Sequence, residues 1–417
     1  MKILGIIAEY NPFHNGHKYH LNKSLKITGA THTIAVMSGN FLQRGEPALF
    51  DKWERAKMCI KEGLDLVIEL PTIYACNSAE FFAKGSISIL NFLNIVDYIC
   101  FGSESGKIEN LKNIADILCD EPKEYKLLLK KYLNTGITFP KARELALKEY
   151  LKQFSILNMK EDVLNSPNNI LAIEYLKALK QLNSSIKPIT IERIKADYNS
   201  DKFYENICSA TAIRKFLLNN LDKIDTLKNV IPENSFEILI DNILKSKGPI
   251  FIHDLEQIIF YKLRTASPND LKQIHDINEG LENRLKKACL ISNSLKELID
   301  NIKTKRYALT RIQRILINSL INITKSDIEL IKKDFQPKYL RILGFSKKGT
   351  DIIKMIKKSC DIPIITNLKQ YYPQDKIAKR ILEIDIISSD IYSLLYKNKS
   401  MKRGSYDYIK KPYIDFK

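Results

Sequence analysis

The sequence predicts an α/β fold, in which a parallel sheet with helices between its strands is followed by a mainly α-helical, basic region. Two observations lead to this prediction. Apolar runs alternate with amphipathic stretches through roughly the first hundred residues, which is typical of strands joined by right-handed crossover helices. From about Asn234 onwards, apolar residues recur instead at helical spacing.

The pattern places strands and helices in a definite order. Strands are predicted at residues 2–8, 33–38, 64–70, 96–101 and 189–194, and helices at residues 16–28, 52–62 and 78–94. Ligands of open parallel sheets bind beyond the carboxyl ends of the strands. Residues 9–17, 37–44 and 69–71 and Gly102 all lie at those ends. The pattern alone therefore predicts a ligand site there.

Length and charge suggest two domains with different tasks. We expect one domain over residues 1–233, with a helical insert at about 120–160, and a second over residues 234–417. The net charge is +18, and residues 251–417 hold 33 Lys and Arg against 19 Asp and Glu, which places +14 of it there. Such a concentration favours a nucleic-acid partner. Lysine is common throughout the chain, so basicity alone is weaker support than its distribution.

The sequence also argues against several classes of protein. No apolar run approaches the ~20 residues that cross a bilayer, and the first residues lack the pattern of a secretory signal. We therefore expect a cytoplasmic protein with no membrane partner. The seven cysteines form no Cys-x-x-Cys pair, so neither a structural zinc site nor a disulfide framework is indicated.

The segment NPFHNGH at residues 11–17 is the most informative part of the chain. It joins the first strand to a helix, whose N-terminus favours phosphate. Two imidazoles on one helical turn can donate hydrogen bonds to a phosphoryl group under attack, and Gly16 lets a ligand approach the backbone. Either histidine alone would more often be a surface residue. The pair in this setting predicts a nucleotide site with His14 and His17 as the catalytic residues.

Two further segments fit phosphate binding. In SATAIR at residues 209–214, the hydroxyls of Ser209 and Thr211, a helix N-terminus and the Arg214 guanidinium predict a second phosphate site. Residues 39–45 form a glycine-bracketed loop that contains Gln43 and Arg44. This loop either bends over a bound triphosphate or is a plain surface loop.

The HNGH tetrad resembles the signature of the nucleotidyltransferase superfamily, and the whole set of motifs resembles one of its families, the bacterial tRNA(Met) cytidine acetate ligases. The tetrad by itself is specific only for the superfamily, whereas the combination is much narrower. The matching stretches extend over essentially the whole chain and are residues 6–20, 37–48, 69–71, 101–104, 166–171, 209–214, 305–307 and 311–316.

This resemblance implies a Rossmann-like nucleotidyltransferase domain and a two-step reaction. Acetate would attack the α-phosphate of ATP to give acetyl-adenylate and pyrophosphate. The acetyl group would then pass to N4 of the wobble cytidine of elongator tRNA(Met), releasing AMP. ATP is thus expected as a substrate, accompanied by Mg²⁺. Acetate and elongator tRNA(Met) are the other expected partners, and no residue is predicted as a metal ligand of the protein.

The resemblance also implies which residues bind. The ATP-binding positions of the family fall on Ile7, Ala8, Glu9, Tyr10, Asn11, Pro12, Phe13, His14, Asn15, Gly16, His17, Lys18, Tyr19 and His20, and on Gly102, Asn168, Arg193 and Ile194. Asn169 is the alternative to Asn168 if the register differs by one.

The basic region contains candidate RNA contacts. Basic side chains next to Tyr307 suit a phosphate backbone and an unstacked base, and they are Lys305, Arg306, Arg311 and Arg314. Ordinary helix amphipathicity explains the apolar stripe beside them equally well. Residues 340–349 are predicted as a basic turn that forms a second phosphate contact. The Lys- and Tyr-rich tail at residues 397–417 is expected to be loosely ordered.

Other function classes remain as alternatives. One is a small-molecule adenylyltransferase, for which the long basic region has no evident use. Another is a non-catalytic RNA-binding protein with a nucleotidyltransferase fold, which the intact residues of both phosphate motifs disfavour. An aminoacyl-tRNA synthetase is disfavoured because the chain has no convincing loop like Lys-Met-Ser-Lys-Ser.

Overall fold

A computed structural model of the protein describes residues 1–154, 166–193, 208–304 and 307–416. Within these ranges the strands are β1 (Ile3–Ala8), β2 (His32–Ser38), β3 (Leu66–Leu70), β4 (Tyr98–Ser103), β5 (Lys187–Glu192), β6 (Leu340–Ser346), β7 (Ile364–Ile365) and β8 (Tyr413–Asp415).

The described strands form one sheet with the order β5-β4-β1-β2-β3-β6-β7, and β8 pairs with β6. Strands β1 to β5 are parallel to one another, whereas β6 runs antiparallel to β3. From β1 the chain adds β2 and β3 on one side of the sheet, and it then adds β4 and β5 on the other side of β1. The order of the strands therefore reverses between β1 and β4. In open parallel sheets the crevice at such a switch point receives ligands, so the fold predicts a site at the carboxyl ends of β1 and β4.

Helices cover the sheet and build most of the C-terminal half. They are α1 (Asn15–Thr28), α2 (Lys52–Lys61), α3 (Thr72–Ala75), α4 (Ala79–Phe92), α5 (Ile108–Asp120), α6 (Lys123–Leu133), α7 (Phe139–Gln153), α8 (Pro167–Gln181), α9 (Ala210–Asn219), α10 (Glu233–Leu244), α11 (Glu256–Thr265), α12 (Pro268–Gln273), α13 (Leu281–Ile291), α14 (Leu295–Ile302), α15 (Leu309–Ile321), α16 (Lys325–Lys333), α17 (Lys347–Ser359), α18 (Lys376–Ser393) and α19 (Tyr406–Ile409). No helix in the described ranges is both long and apolar enough to cross a membrane.

Alternate strand residues contribute to two apolar cores on opposite faces of the sheet. In β2, Ile34 and Val36 belong to one core, whereas Ala35 and Met37 belong to the other. The first core includes α4, α5 and α8 together with the C-terminal helices, and the second includes α1, α2, α9 and α10. Helices cover both faces of the sheet. Because side chains of a strand alternate in direction, positions that face either side are then buried in central strands such as β2 and β3, which explains the near-continuous apolar runs of the sequence.

The predicted α/β class is confirmed, and the five predicted strands and three predicted helices all occur, with ends that differ by at most a few residues. The largest shifts are of two residues at both ends, at β4 and at β5, of which β5 begins at Lys187 and ends at Glu192. Ile194, placed at the end of that strand by the sequence, lies outside the described residues.

The C-terminal region differs from the prediction in two respects, of which the first concerns residues 340–349. The expected basic turn at residues 340–349 is instead strand β6 followed by the start of α17. Arg341 is therefore only 4% exposed and unavailable to RNA. The predicted boundary at residue 233 stays a prediction, although the sheet draws strands from both sides of it.

The expectation of a loosely ordered tail was wrong as well. The tail contains α19 and β8, and its Asp407 is 1% exposed. Lys52 Nζ lies 2.7 Å from Asp407 Oδ1 and 2.8 Å from Glu69 Oε1. Arg341 Nη2 lies 3.0 Å from the same Asp407 oxygen. These four side chains form a buried charge cluster that joins the start of α2 and the end of β3 to the C-terminus.

Removing one member of the buried charge cluster should destabilise the fold. Asp407→Ala leaves Lys52 and Arg341 buried with too little negative charge, so the free energy of unfolding should fall by about 3–5 kcal/mol. Denaturant unfolding measures this. Asp351→Ala, which breaks the exposed pair of Asp351 with Lys354, should change it by no more than about 0.5 kcal/mol. Equal losses in the free energy of unfolding for the two substitutions would show that burial of the charge cluster does not determine how much stability is lost.

Candidate active site

The two histidines of the NPFHNGH segment form the first turn of α1. His14 is the N-cap residue, and its Nδ1 accepts a hydrogen bond from the backbone N–H of Gly16 at 3.1 Å. The Nδ1 of His17 accepts one from the N–H of His14 at 3.3 Å. The ring centroids lie 3.8 Å apart. Because each Nδ1 is an acceptor, the proton of each neutral ring resides on Nε2, which is left to donate.

The environment keeps these rings uncharged. Burial, followed by the charges of Arg193 and Arg214, lowers the pKa of His14 to about 3. Burial and Arg193 lower the pKa of His20 to about 4, and burial holds that of His17 well below its usual range. Near neutral pH the rings are therefore uncharged, the Nε2–H groups of His14 and His17 are available as donors, and the positive charge near them belongs to Arg193 and Arg214.

Aromatic packing fixes the ring of His17. Tyr10 contacts it edge-on at 4.9 Å between centroids, and Phe13 lies 5.6 Å away. Both aromatic side chains are buried, Phe13 completely. Of the predicted ATP-binding stretch, Tyr10 and Phe13 are thus packing residues that hold the His17 ring in place.

The second phosphate motif lies against the first. Ser209 caps α9 by accepting a hydrogen bond from the N–H of Ala212 at 3.1 Å. Arg214 donates to the carbonyl of Asn11 at 3.1 Å and to the Thr211 hydroxyl at 3.4 Å. Segments about two hundred residues apart in the sequence therefore meet at one end of β1.

The remaining predicted nucleotide residues meet at the end of β4. A side chain on Gly102 would place its Cβ 3.1 Å from Cγ of Arg193, so glycine leaves room for the arginine. Arg193 donates to the Asn168 carboxamide at 3.2 Å, and Asn168 donates to Glu104 at 2.7 Å. Since Arg193 also influences the pKa of His14, this group adjoins the histidines.

The choice between Asn168 and Asn169 follows from their partners. Asn169 is 1% exposed, and its Oδ1 accepts the backbone N–H groups of Glu104 and Ser105. Asn169 therefore ties the loop after β4 to α8. Asn168 contacts Arg193 instead, which favours Asn168 as the ligand-facing residue.

Some residues of the predicted ATP-binding stretch have other partners. Lys18 forms an ion pair with Glu62 at 3.0 Å, and Asn15 donates to the carbonyl of Asn229. Tyr19 is exposed and accepts a hydrogen bond from Lys23. His20 holds a buried Nε2 with no hydrogen-bond partner in the described parts of the chain. A role of Lys18, Tyr19 and Asn15 in binding ATP stays a prediction.

The glycine-bracketed loop is packed rather than open. Gly45 has φ of 77° and lies so close to α15 that a Cβ would fall 2.2 Å from the backbone nitrogen of Arg314. Arg314 donates to the carbonyl of Gln43 at 3.4 Å. Of the predicted RNA contacts, Arg314 therefore lies under this loop.

Arg311 has a different setting from Arg314. Its guanidinium lies 5.1 Å from the ring of Tyr307 and 3.5 Å from the Asp276 carboxylate, and its side chain is 31% exposed. Of the two predicted RNA contacts that the structure describes, Arg311 combines exposure with an aromatic neighbour. Lys305 and Arg306 lie outside the described residues.

Sequence reasoning missed Arg55, which is fully buried. Its guanidinium donates to the carbonyls of Glu9 at 2.6 Å, Ser38 at 2.9 Å, Phe50 at 3.0 Å, and Gly39. A signal existed in the sequence, because Lys52, Arg55, Ala56 and Cys59 share the buried face of α2 at helical spacing. Charged residues at core positions of a helix usually have a specific buried partner.

Known proteins share both the sequence and the fold. Residues 1–407 match the family model described as HIGH Nucleotidyl Transferase. The chain is 44% identical over 411 residues to a tRNA(Met) cytidine acetate ligase of Acetivibrio thermocellus, covering 98% of each chain. It is 46% identical over 421 residues to the protein of the same name from Clostridium perfringens, covering 99% of this chain and all of the other.

Solved structures agree with the sequence relatives. A crystal structure of Thermotoga maritima TmcAL bound with alpha-thio ATP matches with a TM-score of 0.92 at 32% identity, and the apo form matches with a TM-score of 0.94 at 33% identity. Each comparison covers both chains completely. The chain belongs to the HIGH nucleotidyl transferase family and, within it, to the tRNA(Met) cytidine acetate ligases.

Proposed function

We propose that this protein activates acetate with ATP, forming acetyl-adenylate and pyrophosphate, and transfers the acetyl group to N4 of the wobble cytidine of elongator tRNA(Met), releasing AMP. The observation that carries the proposal is the meeting of His14 and His17 with Arg193 and Arg214 at the switch point of the sheet. The names of the relatives support the identity of the acceptor.

The first step needs charge stabilisation at the α-phosphate. A carboxylate oxygen of acetate forms a bond to phosphorus, and the bond to pyrophosphate breaks. The Nε2–H groups of His14 and His17 donate to the phosphoryl oxygens, while Arg193 and Arg214 offset the negative charge. Neutral imidazoles suit this role because they donate without transferring a proton to the leaving group.

Mg²⁺ enters the proposal as the partner of the triphosphate. In the parts of the chain that the structure describes, no three His, Cys, Asp or Glu side chains are grouped so that they could hold a metal ion. The ion would therefore be ligated mainly by phosphate oxygens and water, as is usual for Mg²⁺ with nucleotides.

The second step requires a tRNA at the same cleft. The basic C-terminal region supplies the expected charge, and Arg311 next to Tyr307 offers a phosphate contact beside an aromatic ring. Arg311 lies on α15, the helix that packs against the glycine-bracketed loop. A small-molecule transferase has no need for such a region, which favours the RNA substrate over that alternative.

Replacing both histidines should stop the first step. His14→Ala with His17→Ala removes two donors to the α-phosphate, so acetate-dependent pyrophosphate release should fall by at least about a thousandfold, while tRNA binding by filter retention stays near wild type. The matched control is His253→Ala, which removes an exposed histidine outside the cleft. Continued turnover of ATP by the double variant would remove these residues from the mechanism.

The histidines should not titrate near neutral pH. Since burial lowers the pKa of His14 to about 3 and that of His20 to about 4, both rings should keep the nitrogen chemical shifts of neutral imidazole as the pH falls from about 7.5 to about 5. Histidine-labelled protein and long-range ¹⁵N NMR measure this. A titration of His14 close to 6.5 would contradict the neutral-donor role.

The two arginines of α15 should affect different substrates. Arg311→Gln should weaken tRNA binding and lower the slope of log affinity against log salt concentration by about 1, as expected for one lost phosphate contact. Arg314→Gln should instead raise the KM for ATP, because Arg314 holds the carbonyl of Gln43. Fluorescence anisotropy with labelled tRNA and initial-rate kinetics separate the effects. An unchanged salt slope in Arg311→Gln would place the RNA contact elsewhere.

A further inference from the structure

Glu9 is an acidic side chain in a cleft that otherwise favours anions. It follows the last residue of β1 and is only partly buried. Its Oε1 accepts a hydrogen bond from the backbone N–H of Gln43 at 2.8 Å and a longer one from the Ser38 hydroxyl at 3.5 Å. Within the described ranges, Oε2 has no hydrogen-bond partner, so one oxygen of the carboxylate remains available.

The surroundings of Glu9 do not include an ion-pair partner. Among the described residues, no cation lies within 4.0 Å of its carboxylate. Burial raises the pKa of Glu9, and the hydrogen bond from Gln43 and the nearby arginines oppose this shift. The charges of Arg44, Arg55 and Arg214 lower the pKa of Glu9. The charge of Glu9 in turn raises the pKa values of Cys76 and Tyr175. A carboxylate with a raised pKa and a free oxygen is suited to accept a proton.

Other side chains of the cleft are committed to different partners. The Nδ1 atoms of His14 and His17 already accept backbone N–H groups, so these rings are donors. Glu104 accepts hydrogen bonds at both carboxylate oxygens from residues 168 and 169. Glu46 lies 3.7 Å from Arg214. Among these carboxylates, Glu104 is used at both oxygens and Glu46 lies beside Arg214, whereas Glu9 has a free oxygen and no cation within 4.0 Å in the described residues.

The second step of the proposed reaction needs such a group. The exocyclic N4 amino group of cytidine donates hydrogen bonds, which Glu side chains accept in nucleic-acid recognition. When N4 attacks the acetyl carbonyl, it must lose one proton. We propose that Glu9 binds the N4 amino group of the target cytidine and accepts its proton during acetyl transfer, an inference that rests on the proposed function above.

The step balances without a further reactant. The N4–C bond to the acetyl carbonyl forms, and the bond from that carbonyl carbon to the phosphate oxygen of acetyl-adenylate breaks. AMP leaves with the electron pair of that bond. One N4 proton passes to the Glu9 carboxylate and then to solvent, so the enzyme returns to its starting state.

The two half-reactions can be measured separately. Acetate-dependent exchange between ATP and pyrophosphate reports on the first, and single-turnover formation of N4-acetylcytidine from prepared acetyl-adenylate and tRNA reports on the second. In Glu9→Gln, which keeps an oxygen to accept from Gln43, the second rate should fall by about a hundredfold or more. At saturating ATP, where any effect of Glu9 on ATP binding is overcome, the first should fall by less than about tenfold. The rise of the wild-type second rate with pH should also disappear.

Control variants and the wild type distinguish the possible failures. Glu46→Gln removes a carboxylate from the same cleft, and it should change both half-reactions in parallel. If Glu9→Gln also lowers both equally, Glu9 positions the loop and the proton-acceptor role is wrong. If the wild type shows no acetate-dependent exchange at all, the proposed function fails instead.

Discussion

The site depends on the buried guanidinium of Arg55. It donates to backbone carbonyls directly after β1, at the end of β2 and just before α2, and so joins these three segments beneath the cleft. A buried arginine is stabilised only when its donors are satisfied, and here carbonyls rather than a carboxylate satisfy most of them. The positive charge is therefore retained beneath the cleft, where it supports the acidic side chain of Glu9 and an anionic substrate.

Charge and hydrogen bonding are divided between residue types at this site. Arginines supply charge that pH does not change, whereas the histidines supply directed donors that stay neutral because the site buries them. A histidine cation would be costly next to Arg193 and Arg214. Because the arginines carry the charge and the histidines carry the directed donors, the site can attract a triphosphate without protonating a histidine. The pattern of hydrogen-bond donors therefore stays the same when the pH changes near neutrality.

Much of the N-terminal half could be predicted from sequence because local signals decide it. Apolar runs, the glycine and proline turns and the histidine pair specify β1 to β5 and the position of the site. The failures concern long-range partners. Nothing near Leu340 reveals that β6 pairs with β3, and Asp407 looks like a surface residue until Lys52 and Arg341 are brought to it. The choice between Arg311 and Arg314 likewise depends on packing against a loop about 270 residues away.

The pairing of β6 with β3 has a consequence for how the protein is made. During synthesis from the N-terminus, β3 is complete long before residues 340–346 leave the ribosome, so its outer edge has no partner strand until then. Lys52 and Glu69 likewise have no buried partner in Asp407 until more than three hundred further residues have been made. The sheet thus reaches its final form only after β6 and Asp407 have left the ribosome, and a nascent chain must protect that edge until then.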